Sequence, residues 1–180
     1  IIIVMEIFLI GVPMIYLFFG EYGRLPLGDR FLASLFQAIT PRTAGFNTTD
    51  YNSFSGTGIL LTDVLMLIGG APGSTAGGMK ITTIAVLFFT MISVFKHEKS
   101  PAVFKRRIKP EAIYGAIAVF MLDIMIALIS AMLISKIEHI SFMKRLFESA
   151  SAVATVGLSM GITPGLSTIS KFILIFSMYL

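Results

Sequence analysis

The sequence predicts an all-α membrane protein in which one order of helices occurs twice in tandem and one span is broken by a glycine-rich loop. Three observations carry that prediction. The chain of 180 residues is 56% hydrophobic and only 13% charged, where a soluble domain is about a quarter charged. Its apolar runs alternate between spanning length and half that length. Their order repeats at an offset of 112 residues. There is no cysteine, which excludes disulfides and thiolate metal sites. His97 and His139 sit among charged residues near segment ends and read as solvated surface groups. The chain opens on "IIIVMEIFLI" and closes inside "KFILIFSMYL", as expected of a piece of something longer.

A membrane span needs about 20 mostly apolar residues. Residues 1–20 qualify, with Glu6 and Pro13 as the exceptions. Residues 31–40 do not: at 1.5 Å per residue they reach roughly 15 Å, about half of a 30 Å hydrocarbon core. A short helix that enters, turns and leaves is the expected form there, and irregular backbone at that depth survives only inside protein or beside a water-filled path. Residues 59–95 read as one long span broken near its middle by residues 69–80. Residues 96–111 form a linker, of which 96–110 hold six Lys or Arg against one Glu. The positive-inside rule places it in the cytoplasm more readily than a lipid or nucleic-acid patch would explain it, so both short helices enter from the outer face. Then the pattern returns. Residues 112–135 span, 142–153 form a second half-length helix, and 170–180 begin a final span.

The offset places Thr43-Ala44-Gly45 on Thr155-Val156-Gly157, while "LFQA" and "LFES" correspond with a slip of one residue. These two turns, 43–47 and 155–159, carry the chemistry. A dehydrated cation needs oxygen dipoles in place of its water, and backbone carbonyls of a short extended segment supply them. Glycine's tolerance of positive φ lets such a segment form. The preceding short helix points its partly negative C-terminal end inward, which favours a cation. Pro41 biases Thr40 out of helical geometry, so the first short helix should end there.

The stretch "GGAPGSTAGGMK" (69–80) looks like a phosphate loop, but a Walker pattern needs Lys directly after the last glycine and then Ser or Thr. Here Met79 intervenes and Ile81 follows, so the sequence does not support a nucleotide-dependent enzyme. Gly69, Gly70, Pro72, Gly73, Ser74, Thr75, Gly77, Gly78 and Lys80 read instead as a movable break in a span. Asp63, Lys80 and Asp123 are the ionisable groups inside spans, with Glu148 on the second short helix and Arg42 beside the first turn; such groups usually face an interior or a watery path. For Asp123 a partner in a neighbouring helix is expected. Arg42 suits bracing of the short helix as well as repulsion of anions.

"RTAGFNTTDYNSFS", "GGAPGSTAGGMKITT" and "FESASAVATVGLSMGITPGLS" together resemble the Trk/Ktr/HKT superfamily of potassium transporters, above all its bacterial Ktr and Trk membrane subunits. The resemblance covers nearly the whole chain. It implies a pseudo-fourfold cation pore built from four span–pore helix–filter loop–span repeats, of which residues 1–95 and 112–180 would be the third and fourth. It implies filters at Thr43, Ala44, Gly45, Phe46, Asn47 and at Thr155, Val156, Gly157, Leu158, Ser159, with potassium as substrate held at Thr43, Gly45, Thr155 and Gly157, and a gate at residues 69–80. A gating arginine of the family would fall beyond Leu180. Further implications are a cell-membrane location, a homodimer, a cytosolic ring of nucleotide-binding regulatory subunits, no other cofactor and no enzyme activity. The alternative from the residues alone is a secondary transporter of another family, whose broken helices bind substrate at the midplane.

Overall fold

The computed structural model describes residues 2–97, 101–103 and 106–179. Residues 1 and 180 of the outermost expected spans, and 98–100 and 104–105 of the linker, lie outside the described residues. Seven α-helices make up the fold: α1 (Ile2–Gly20), α2 (Leu27–Ile39), α3 (Gly56–Leu67), α4 (Ile81–Phe95), α5 (Pro110–Ile137), α6 (Phe142–Val153) and α7 (Thr168–Tyr179). Of these, α1 and α5 are long and apolar enough to cross a membrane. Their 19 and 28 residues correspond to about 28 and 42 Å of helix.

Only one stripe of α1, Leu9, Pro13 and Leu17, is buried. Its other faces present Ile3, Ile7, Phe8 and Phe19 outward, as suits a helix whose surroundings are lipid or further protein. The proline therefore sits on the packed face, where its missing N–H is enclosed by neighbours.

Several boundaries differ from the sequence expectation: α3 begins at Gly56 and not 59, α5 runs over Pro110–Ile137 and not 112–135, α7 begins at Thr168 and not 170, and Thr40 keeps right-handed helical geometry in spite of Pro41. The first short helix runs from Leu27 to Ile39, not over 31–40. Pro26 stands at its N-cap and its carbonyl accepts from Arg30 N at 2.8 Å. The Arg30 guanidinium lies 4.1 Å from the centre of the Phe18 ring and donates to the Phe18 carbonyl. Gly28 and Asp29 lie inside the helix. The linker is also more ordered than a plain loop, since Ala102–Val103 (β1) and Arg106–Arg107 (β2) pair antiparallel. This hairpin is the only extended pairing outside the helix break among the described residues, and the fold class remains all-α.

The helix break has a definite form. Ile68 and Met79 make a parallel bridge, with Gly69 N donating to the Met79 carbonyl at 2.8 Å and Met79 N to Leu67 O at 3.0 Å. A parallel bridge means the chain travels in the same direction before and after the loop. So α4 continues the course of α3, and residues 69–78 are an excursion from one interrupted span.

Helix α1 packs on α2 as α5 packs on α6. Left-handed residues at Thr43 and Gly45 recur at Thr155 and Gly157. A 3-10 turn at Tyr51–Ser53 recurs at Thr163–Gly165, and the start of α3 at Gly56 recurs as the start of α7 at Thr168. All these pairs are 112 residues apart.

The two halves meet over α3 and α6. There the Tyr51 ring lies 4.8 Å from that of Phe147 and 5.3 Å from that of Phe54. Tyr22, Met66, Ala150, Ala154, Val156 and Leu158 complete this core. The small residues of α6, from Ser149 to Ala152, are all buried, which lets neighbouring backbones approach closely.

A polar clasp joins the C-terminal end of α5 to the N-terminal end of α7. Glu138 accepts from Ser167 N at 2.8 Å and from Ser170 Oγ at 3.0 Å. These bonds, the Ser167 amide first, hold its carboxyl below the usual range. A depressed folded value means the stabilisation is present above about pH 4.3, the ordinary Glu value, and is lost as pH falls through the lower folded value. Melting temperature of the detergent-solubilised protein should therefore drop as pH falls below about 4. Glu138→Ala should remove that increment at neutral pH and flatten the acid-dependent difference from wild type.

Candidate functional site: two glycine turns and a helix break

Each short helix ends in a turn whose backbone alternates in hand. Thr43 (φ 67°) and Gly45 (φ 72°) are left-handed and Ala44 between them is not. The same holds for Thr155 (φ 52°) and Gly157 (φ 90°) around Val156. Threonine in this region costs roughly 1–2 kcal/mol, so the surrounding contacts must impose it.

Those contacts use the amide hydrogens. Ala44 N and Gly45 N donate to the Thr40 carbonyl at 3.2 and 3.0 Å, closing the end of α2. Thr155 N donates to Ala152 O at 3.1 Å and Val156 N to Ser151 O at 2.9 Å, closing the end of α6. The Thr40 hydroxyl accepts from Phe46 N at 2.9 Å and donates to Phe46 O at 3.0 Å. The carbonyls of Thr43, Ala44, Gly45, Thr155, Val156, Gly157 and Leu158 accept no hydrogen bond from the described residues. Half of the ten turn amides, those of Ala44, Gly45, Phe46, Thr155 and Val156, donate back into the protein, while these oxygens are left over.

The second turn is also two-sided. Val156 and Leu158 point into the core, while Thr155 and Gly157 are open. Phe46 is 67% exposed and its carbonyl is held by Thr40, and the Ser159 carbonyl accepts from Asn47 Nδ2 at 2.8 Å. So of the ten residues expected in the two turns, Phe46 and Ser159 spend their carbonyls inside the protein.

The three glycine segments converge. A Cβ on Gly45 would fall 2.1 Å from the Val156 carbonyl oxygen, so the two turns touch backbone to backbone. A Cβ on Gly77 would fall 2.1 Å from Thr155 Oγ1 and 2.5 Å from the Ala154 carbonyl oxygen, so the helix break packs directly against the second turn. Within the break, Ser74 Oγ donates to Ala71 O at 2.7 Å. Lys80 Nζ donates to Ser74 O at 3.2 Å and to Ala76 O, folding its charge back onto the loop's carbonyls. Pro72, Gly73, Ser74 and Thr75 form an exposed tip, and Gly69 and Gly70 line its base.

Arg42 pairs with Glu6 of α1 and reaches the Gly69 carbonyl at 3.4 Å. Its side chain braces α1 and the break, and makes no hydrogen bond to the short helix that the sequence suggested it would hold. Both oxygens of Asp63 lack a partner among the described residues, as does Asp123 Oδ2, so the expected neighbouring-helix partner of Asp123 is not found there.

Composition and periodicity did not flag Gln37, Thr40 or the Glu6–Arg42 pair. The one available signal was the match of "LFQA" with "LFES", which sets Gln37 against Glu148.

Long apolar helices, two half-length helices and oxygen-rich turns where the half-length helices end define an integral membrane protein of the transport class. The family model described as "TrkH: Cation transport protein" matches residues 11–180, and the chain belongs to that family. That membership sets aside a broken-helix transporter of another family. Among similar proteins, Ktr system potassium uptake protein B of Bacillus subtilis (strain 168) is 40% identical over 161 residues, covering 89% of this chain and 36% of that protein. Potassium/sodium uptake protein NtpJ of Enterococcus hirae is 38% identical over 156 residues, covering 84% and 35%. The chain thus spans about a third of the length of these curated relatives. The crystal structure of the potassium transporter TrkH from Vibrio parahaemolyticus superposes with a TM-score of 0.81 at 21% identity, over 97% of this chain and 40% of that one, which shows a shared fold.

Close approach and backbone hand make separable demands on the glycines. Gly45→Ala and Gly77→Ala place a methyl against backbone or the Thr155 hydroxyl, whereas Gly73 (φ 86°) has nothing within 4 Å. Gly73→Ala should cost about 1–2 kcal/mol, the backbone term alone. The other two should cost more, read as a larger fall in melting temperature and in folded protein recovered from membranes.

Proposed function

We propose that this chain forms half of a potassium uptake pore across the cell membrane, residues 1–95 and 112–180 being the third and fourth of four pore-loop repeats. The observation that carries the reading is the meeting of two alternating-hand turns, at Gly45 and Val156, with their carbonyls unspent. In such turns Thr43, Ala44, Gly45 and Asn47, and Thr155, Val156, Gly157 and Leu158, line the ion path, with Phe46 and Ser159 securing its walls. Potassium enters as substrate and exchanges its water for the oxygens of Thr43, Gly45, Thr155 and Gly157. The printed names of the relatives, potassium and potassium/sodium uptake proteins, support the substrate class.

Residues 69–80 act as the gate. They lie against Thr155 and Ala154 at the second turn, and their exposed tip is held by few bonds. Movement of Pro72–Thr75 opens or closes the path while the Ile68–Met79 bridge keeps α3 and α4 in line. The basic linker 96–111 faces the cytoplasm. The complete protein is a homodimer in the cell membrane, carrying a cytosolic ring of nucleotide-binding regulatory subunits, a reading supported by the name "Ktr system" given to the relatives.

Gly157 has open space where a Cβ would stand, but its φ is 90°. Gly157→Ser therefore perturbs backbone hand without a clash. In the complete transporter this substitution should lower the preference for potassium over sodium about tenfold, the equivalent of one left-handed penalty near 1.4 kcal/mol. Rubidium and sodium uptake in cells lacking other potassium systems measures the ratio. Unchanged selectivity at wild-type abundance would contradict the assignment of this turn.

A further inference from the structure

Glu148 stands on α6 behind the second turn and is 6% exposed. Its Oε1 accepts from Ser159 Oγ at 2.6 Å and from Met160 N at 3.0 Å, and its Oε2 accepts from Thr163 Oγ1 at 2.8 Å. Acceptance at both oxygens is the pattern of a carboxylate. These three partners are the last residue of the turn, the residue after it, and the first residue of the 3-10 turn that leads to α7.

The other half performs the same bracing without a charge. Gln37 of α2 accepts from Thr49 Oγ1 at 3.2 Å and donates to the hydroxyl of Tyr51, which begins the matching 3-10 turn. Thr163 and Tyr51 are 112 residues apart, and Glu148 and Gln37 match in "LFES" and "LFQA". An amide is therefore sufficient to hold the segment after a turn. Burying a carboxylate where an amide would serve is unfavourable unless an opposite charge compensates. Among the described residues no Lys or Arg pairs with Glu148, the one ion pair there being Arg42–Glu6. What lies beside it is a cavity of about 330 Å³, whose lining includes Glu148, Thr155, Gly157, Ser159 and Thr163. The open face of the second turn and the buried carboxylate share that space.

We propose that Glu148 is the residue that both positions the second turn and supplies its fixed negative charge, so that the compensating cation is the potassium ion in the path. The inference rests on the pore reading above. It makes the two halves electrostatically unequal, with a charged brace behind Thr155–Gly157 and a neutral one behind Thr43–Gly45. Cation affinity should then be set mainly by the second turn.

Glu148→Gln separates the two roles. The amide oxygen can keep the bonds from Ser159 and Met160, and the amide nitrogen can donate to Thr163 Oγ1, which accepts as readily as it donates. In the complete transporter, Glu148→Gln should raise the half-saturating potassium concentration for uptake roughly five- to tenfold, the size of one screened charge–charge interaction. Maximal rate and melting temperature should stay at wild-type values. Glu148→Ala should lower both, because it removes the brace as well. A wild-type half-saturating concentration in Glu148→Gln would overturn the proposal, as would a fall in melting temperature equal to that of Glu148→Ala. Absence of saturable potassium uptake in the wild type would instead overturn the pore reading itself.

Discussion

Irregular backbone cannot lie exposed in hydrocarbon, and every other feature of this fold answers to that constraint. The chain leaves helical geometry in three places, after α2, after α6 and between α3 and α4. In each, some of the freed amide hydrogens return to nearby carbonyls: Thr40, Ala152 and Ser151 for the turns, Leu67, Gly70 and Met79 for the break. The carbonyls are left to a different partner. Backbone oxygens left without donors are stable only beside water or cations.

Packing then determines where those acceptors face. The turns touch each other and the break touches the second turn because Gly45 and Gly77 carry no side chain at the points of approach. The aromatic core of Tyr22, Tyr51, Phe54 and Phe147 holds α3 against α6 and fixes the distance between the halves. Arg42 links the first turn to α1 through Glu6 and to the break through Gly69. A displacement of the break therefore has mechanical routes to both turns.

Much of this was legible in the sequence, for physical reasons that differ between elements. The broken span was readable because five glycines and a proline within 69–80 cannot form a stable helix. The turns were readable because positive φ selects glycine, and two copies at a fixed offset exclude chance more firmly than either alone. The start of α2 was not, since Gly28 lies inside the helix against its propensity. Nor were the partners of Arg42 and Glu148, which depend on contacts between segments 11 to 36 residues apart. The left-handed threonines were hidden for a related reason, because the residue type argues against the conformation that the helix ends impose.

The central claim is that unspent backbone oxygens at the two turns hold a dehydrated monovalent cation. Anomalous scattering from rubidium or thallium in crystals of the complete transporter tests it most directly. The account predicts a peak in contact with the carbonyls of Thr43, Gly45, Thr155 and Gly157, displaced by excess potassium. A structure with these turns intact and the ions bound elsewhere would contradict it.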